Sequence, residues 1–333
     1  MAKVELSRYG LDRAESGDDS LVPFTVEGLD CRGRSVRLSD ALDGILTRHN
    51  YPVPVARLLG EAVVLTALIG SALKFDGRFI LQTQTDGPIS MIVVDLDAPD
   101  GLRGYACFDR GAVNKSIAAG KTSHADLLGK GHLAMTLDQG EHMERYQGIV
   151  ALDGDNFEEI ADRYFMQSEQ IPTVIRLAVA QHSEKGAPRP KWRAAGVLVQ
   201  YLPASSEGTL PDLPGDGDFD NIDMIDPDHV ESNNWTEAKS LTSTITDLEL
   251  VDPEISSERL LFRLFHEQGV RVFDPQTMQE RCTCSAERIE DMLMNSFSSN
   301  DREDMVVDGE IEVVCEFCSA KYHFNPAQFE TEH

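Results

Sequence analysis

The sequence predicts an α+β protein with a large N-terminal domain of mainly antiparallel strands and helices, a helical linker and a small C-terminal unit. Three observations predict it. Strand-like runs follow one another with a few interspersed helices and no regular βαβ alternation. An acidic stretch rich in Pro, Gly and Ser then interrupts the chain. Beyond it, four of the six cysteines fall in two closely spaced pairs.

In chain order, "PVPVARLLGEAVVLTALIGSALKF" has helical length, with good helix formers from Ala56 to Leu73. "RFILQTQT" and "ISMIVVDLD" read as strands, and Asp86, Gly87 and Pro88 between them predict a hairpin turn. "LRGYACF", "HLAMTLDQG" and "RYQGIVALDG" read as further strands punctuated by glycine. "NFEEIADRYFMQSEQIP" predicts a helix that ends before Pro172, because the residue preceding a proline is pushed out of the α region. "TVIRLAVAQH" and "AAGVLVQYLP" give two more strands.

Between Arg193 and Lys239 there is no lysine or arginine, and Glu207 to Glu231 carries nine acids. Such a stretch buries too little apolar area to offset the entropy of ordering it. It divides residues 1–204 from the C-terminal part of the chain. Next, Trp235, Ala238, Leu241, Ile245 and Leu248 keep helical spacing and predict one amphipathic helix. A second is predicted with Asp252 as cap, Pro253 at the first helical position, an apolar stripe of Leu260, Leu261, Leu264 and Phe265, and Gly269 at its end. Residues 205–279 are therefore read as an acidic insert plus helical linker. Its apolar faces either pack permanently on the N-terminal domain or dock there reversibly.

The 333 residues carry 57 acidic and 30 basic side chains, a formal net charge of -27, which repels a phosphate backbone. Nucleic acid is excluded as the main partner. The N-terminus is charged from the start, and the largely apolar run Ala62 to Leu73 is shorter than a bilayer span. The expectation is a soluble, cytoplasmic protein with no membrane partner. In that compartment thiols stay reduced, so paired cysteines point to metal or redox chemistry. Cys31 and Cys107, far from the pairs, are expected to be buried core thiols.

Residues 280–333 read as Cys-x-Cys at Cys282 and Cys284, a helix from Ala286 to Phe297, a polar stretch, a strand "IEVV", Cys-x-x-Cys at Cys315 and Cys318, and a strand "KYHF". Four soft thiolates at this spacing suit zinc, and a four-sulfur site leaves no open position for hydrolytic chemistry. His323 is a competing ligand that the complete cysteine set makes unnecessary. The site is either a permanent structural clip or a switch. Zinc contributes about 10 to 16 kcal/mol to folding such a unit, as much as the about 5 to 15 kcal/mol that stabilises a whole domain. Thiolates are also the form that oxidants attack.

"CTCSAERIEDML" with "VVCEFCSAKYHF" resembles the redox-regulated thirty-three-kilodalton heat-shock chaperonin family. "HNYPVPVARLLGEAVVLTALIGSALKFDGRFILQTQTDGPISMIVVD", "GKGHLAMTL", "RYQGIVAL", "YFMQSEQIPT", "AAGVLVQYLP" and "LLFRLFHE" are similar to its blocks, in the same order over most of the chain. The resemblance implies a strongly twisted sheet in the N-terminal domain, which would bind substrate and dimerise, and a C-terminal redox switch. It implies an ATP-independent holdase, not an enzyme, inactive while one Zn2+ per chain is bound in the reduced state. On that pattern oxidation pairs Cys282 with Cys284 and Cys315 with Cys318, zinc leaves, and the opened protein binds unfolding client proteins. The family implies a homodimer when oxidised and transfer of clients to an Hsp70-type chaperone system for refolding. This chain departs from the pattern in a long acidic insert, Ser205 to Glu231, and in the charged Glu280 and Arg281 before the first cysteine. Both bear on linker contacts and the switching threshold.

The alternatives are a thiol-disulfide oxidoreductase and a structural zinc-ribbon protein. A disulfide catalyst presents Cys-x-x-Cys at a helix start, whereas Cys315 follows a predicted strand. A nucleic-acid-binding ribbon needs basic charge, and residues 280–333 are acid-rich. "GKGHLA" at Gly129 to Ala134 runs into a predicted strand instead of the helix a dinucleotide needs, and "HEQG" at His266 lacks a second zinc-protease histidine. No catalytic residues are assigned.

Overall fold

The computed structural model describes residues 16–73, 75–139, 146–152, 156–202 and 233–329. Its first strands, β1 (Ser20–Val26) and β2 (Cys31–Leu38), pair antiparallel and lead into α1 (Asp40–Thr47) and α2 (Val53–Gly70). A meander comes next: β3 (Arg78–Thr85), β4 (Ile89–Asp97) and β5 (Gly101–Phe108), with the β3–β4 turn at Asp86–Pro88 as expected. After α3 (Arg110–Ala118) and α4 (His124–Leu128) come β6 (Gly131–Asp138) and β7 (Tyr146–Ala151). Then α5 (Phe157–Tyr164) runs on as a π-helical turn, Phe165–Glu169, and β8 (Thr173–His182) pairs antiparallel with β9 (Lys191–Tyr201).

β1, β2, β9 and β8 form one sheet, and β5, β4, β3, β6 and β7 form a second. The α2 helix lies between them, and its buried residues run all the way round it. From Ala62 to Gly70 every residue is buried between the sheets, which is why this part is apolar on every side, while Val53, Arg57 and Glu61 mark a narrow outward stripe in the first half. Among the described residues it is the one helix long and apolar enough to cross a membrane, and 78% of that window is buried within the fold. It starts three residues ahead of Ala56 and ends at Gly70, short of Leu73. Close packing explains Gly196 on β9, where a Cβ would stand 2.6 Å from a Val64 methyl of α2.

The first sheet is covered on both faces. Leu21, Val36 and Leu198 face α2, whereas Val22, Phe24, Val197 and Val199 face the other way. That second face is covered by α6 (Asn233–Ser243), α7 (Asp247–Val251) and α8 (Ser257–Phe265). The single helix expected over Trp235–Leu248 is two. Thr246 and Glu249 form a capping box that starts α7 afresh, and Leu248 is 80% exposed instead of lying on the apolar stripe. The next helix begins later than Asp252 and Pro253, with Ser256 as its cap. Its Leu260, Leu261, Leu264 and Phe265 are buried as expected, and Phe265 stacks on Phe24 at 6.1 Å between ring centroids.

Two buried arginines hold this layer down. Arg37 donates from Nη1 to the Leu250 carbonyl at 2.8 Å and from Nη2 to that of Asp252. Arg193 donates to the Val251 carbonyl at 3.1 Å and pairs bidentately with Asp18 at 2.6 Å. The C-terminal carbonyls of α7, which its own turns leave unpaired, are thus satisfied by charge-assisted bonds.

The chain then stitches both sheets. β10 (Val270–Val272) and β11 (Gln276–Thr277) add to β1, and β12 (Gln279–Glu280) runs parallel to β5 at the edge of the second sheet. These short strands were not expected from sequence. The C-terminal unit holds α9 (Ala286–Ser296), α10 (Ser299–Asp304), β13 (Val306–Val307), β14 (Glu310–Val314) and β15 (Lys321–Phe324). The α9 helix matches expectation, while α10 occupies part of the stretch read as merely polar. The protein is thus α+β, with antiparallel sheets and helices. The acidic insert from Ser205 to Glu231 lies outside the described residues.

Candidate metal centre

Cys282 and Cys284 leave the edge of the second sheet just after β12, and Ser285 caps α9 behind them. Cys315 and Cys318 sit in the turn between β14 and β15. The turn is closed by the Cys315 amide on the Ala320 carbonyl at 2.9 Å and the Ser319 amide on the Cys315 carbonyl at 2.8 Å. Ser319 takes a left-handed φ of 57° to complete it.

The fold brings the four expected sulfurs together, all within 4.8 Å of one another. Cys282 to Cys284 is 3.4 Å, Cys282 to Cys315 is 3.7 Å and Cys284 to Cys318 is 3.3 Å. Sulfurs bound tetrahedrally at about 2.3 Å from one ion stand about 3.8 Å apart, so this donor set fits a metal of zinc's size and softness. The set can hold a metal ion. His323 stands apart, half-exposed and near Glu310 and Glu312, outside the cluster.

The thiols do not ionise alike. At Cys284 burial opposes the charge, but hydrogen bonds from Tyr322 Oη at 3.1 Å and from the other thiols outweigh it and bring the pKa down to about 7. At Cys318 burial dominates and pushes the thiol up. The surroundings therefore favour the thiolate at Cys284 over that at Cys318.

The cysteine unit is docked on the rest of the protein by residues that sequence spacing did not reveal. Phe317, between Cys315 and Cys318, meets Tyr105 edge-on at 4.8 Å, and the Arg103 guanidinium lies 3.9 Å from its ring centroid. His49 Nε2 faces the Phe317 carbonyl at 3.1 Å and Nδ1 faces the Ser319 hydroxyl at 3.1 Å. A carbonyl only accepts, so Nε2 carries the proton and Nδ1 accepts from Ser319. The charged pair before the first cysteine has partners too. Glu280 pairs with Arg48 at 2.5 Å, and Arg281 with Asp97 at 3.4 Å and Asp100 at 3.1 Å. The one sequence signal for this docking was an aromatic residue inside a polar knuckle.

The other two cysteines differ from each other. Cys31 is 5% exposed and donates to the Leu29 carbonyl. Cys107 is only half-buried on β5, close enough to Glu316 of the knuckle to feel its charge, which corrects the expectation of a core thiol. Burial, then the charge of Asp30, pushes Cys31 up to about 12 from its ordinary 9.0. Its thiolate is correspondingly scarce at neutral pH. Alkylation of Cys31 in the folded protein at pH 8 is expected to run about a thousandfold slower than in denaturant, as peptide mass mapping would show; equal rates would contradict its burial.

The glycine-rich stretch Gly129–Ala134 runs from the end of α4 into strand β6 and opens no helix, in line with the rejection of a dinucleotide loop there. His266 ends α8 half-exposed, without a second histidine partner on the helix face.

A family model described as Hsp33 protein matches residues 19–325. The chain is similar to the 33 kDa chaperonin of Caulobacter vibrioides strain NA1000, 43% identical over 314 residues that cover 93% of this chain and 95% of that one. It is 37% identical over 317 residues to the 33 kDa chaperonin of Aeromonas salmonicida, covering 95% of each. The crystal structure of a 33 kDa chaperonin from Thermotoga maritima matches its fold with a TM-score of 0.71 at 21% identity, over 93% of this chain and 96% of that one.

Proposed function

The chain belongs to the Hsp33 family of chaperones, and on that premise we propose that it is a redox-regulated holdase, zinc-bound and inactive when reduced, that oxidation opens to bind unfolding proteins. The observation that carries this reading is the position of the four-sulfur cluster. It follows, through β10, β11 and β12, on the stretch of chain that lays α6, α7 and α8 over an apolar sheet face.

Cys282, Cys284, Cys315 and Cys318 would hold one Zn2+ per chain. Bound there, zinc keeps the sulfurs as thiolates and supplies folding free energy to a unit whose own core is small. We assign residues 1–204 to client binding and dimerisation, 205–279 to the linker and 280–333 to the redox switch.

In the oxidation step, two thiolates of a pair give two electrons to one peroxide, which takes up two protons and becomes two waters as the S–S bond forms. Cys282 pairs with Cys284 and Cys315 with Cys318. Cys284 lies as near to Cys318 as to Cys282, so sulfur separation does not single out the local pairs and this assignment rests on the family resemblance. A disulfide sulfur is no longer an anionic donor, so the oxidised set could no longer hold an ion. Without it the C-terminal unit unfolds, the linker helices come off the first sheet, and the uncovered apolar face binds clients. The oxidised form is a homodimer in the cytoplasm and passes clients to an Hsp70-type system. The knuckle lies between two strands and not at a helix start, which speaks against disulfide catalysis.

Light scattering from a heat-denaturing client tests the reading with reduced, peroxide-treated and re-reduced protein. Only the oxidised sample is expected to suppress scattering, and disulfide mapping should find the two local pairs. Equal protection by reduced and oxidised protein would overturn the redox reading; turnover of a disulfide substrate would favour the oxidoreductase.

A further inference from the structure

Each cysteine pair encloses a short spacer, and the two spacers share one partner. Thr283, between Cys282 and Cys284, accepts through its hydroxyl from Arg103 Nη1 at 2.9 Å. Phe317, between Cys315 and Cys318, lies with its ring 3.9 Å from the same guanidinium. Arg103 belongs to β5, the strand that receives β12 just before the first cysteine.

The arginine is fixed from behind. Asp95 on β4, 3% exposed, accepts from Arg103 Nε at 2.8 Å and pairs with Nη2 at 2.6 Å. Three faces of one planar guanidinium are thus committed: an edge to a buried carboxylate, another edge to the first spacer and the ring face to the second. Lysine, a flexible point charge, cannot reproduce this arrangement. The guanidinium therefore touches both spacers at once.

Closing either pair changes what Arg103 meets. A disulfide needs its sulfurs at about 2.05 Å, and a bridge across one residue constrains the spacer more tightly than one across two. From 3.4 Å, the Cys282–Cys284 approach has to re-form the backbone that carries the Thr283 hydroxyl. Closure at Cys315–Cys318 likewise rebuilds the turn that presents Phe317 to Arg103, Tyr105 and His49.

Building on the holdase reading above, we propose that Arg103 is the positioning residue that couples the redox state of both cysteine pairs to docking of the C-terminal unit on the second sheet. Reduced spacers fit around it and the unit stays docked; either disulfide withdraws a spacer and releases the edge strand β12.

The test monitors docking directly, in reduced metal-loaded protein. The reporters are the amides of Gln279 and Arg281, which donate to the Asp100 and Leu102 carbonyls at 3.0 and 2.9 Å. Hydrogen exchange there, with metal content measured on the same samples, is compared for the parent, Arg103→Gln, Arg103→Lys, Phe317→Ala and Thr283→Val. Phe317→Ala and Thr283→Val leave the buried Asp95–Arg103 pair intact, so they report even where Arg103→Gln folds poorly. Exchange is expected to rise about tenfold in Arg103→Gln and Phe317→Ala, with metal retained, and no further in the double variant; Arg103→Lys should not restore the parent rate.

Parent-like exchange in Phe317→Ala and Arg103→Gln overturns the coupling, as does loss of the metal from the reduced variants, which would place Arg103 in the metal site itself. These arms use no oxidant. A parent protein that ignores peroxide would sink the redox reading instead, so the two failures are distinguishable.

Discussion

Replacing Cys318 by serine is expected to abolish metal binding and leave residues 282–329 without a stable fold. The core of this unit consists of Ile289, Leu293, Ile311, Phe324 and Phe329, with a few half-buried neighbours. A core this small is below what orders an independent domain, and a metal held by four thiolates supplies about 10 to 16 kcal/mol of apparent folding free energy in comparable units. Serine supplies a hard, protonated oxygen in place of a soft thiolate, and the set drops to three donors. The rest of the chain keeps its own two clusters around α2 and over the first sheet. Amide NMR of the variant should therefore lose dispersed signals from residues 282–329 while retaining those of the sheets, and metal content should fall to zero. A folded C-terminal unit in the metal-free variant would contradict the account. Chelation of the parent protein should give the same spectrum.

Phe265→Ala is the second large effect, expected to cost about 3 to 5 kcal/mol. Phe265 is fully buried and stacks on Phe24, at the centre of the face where α8 meets the first sheet. Removing the ring leaves a cavity between a strand pair and a helix whose polar ties to the sheet lie near its start, through Ser257 and the preceding Leu250–Asp252 carbonyls. Local opening of α6 to α8 should become frequent, with fast exchange from Trp235 to Val272 against slow exchange in α2. On the proposed reading the variant protects clients partly while still reduced and metal-bound. Chemical denaturation measures the first effect and client scattering the second. A loss under about 1 kcal/mol would mean that this layer contributes little to the reduced state.

Local chemistry made much of this fold legible. The Asp86–Pro88 turn, the β8 and β9 runs and α9 carry their signals within a few residues, and all appear where the sequence placed them. The cluster was legible because four cysteines in two tight pairs have few uses besides metal binding and redox chemistry. Trp235 to Leu248 misled because Ile245 keeps the helical period while Thr246 restarts the helix, and a capping box costs no change of apolar spacing. β1 and β2 passed unread: Arg32, Arg34 and Arg37 interrupt the apolar pattern of β2, and its burial comes from layers far away in sequence. The docking residues were hidden for the same reason. Arg103 meets Thr283 across 180 residues, and His49 meets Ser319 across 270, so no window of sequence contains both partners.

The most direct test of the central claim tracks metal release and client aggregation in one tube, as peroxide is added to the reduced protein with mild warming. The account predicts that about one zinc per chain is released as client aggregation becomes suppressed, and that both are reversed by reductant with added zinc. Metal that stays bound while protection appears, or that leaves with no gain in protection, would contradict it and reduce the four thiols to a structural clip.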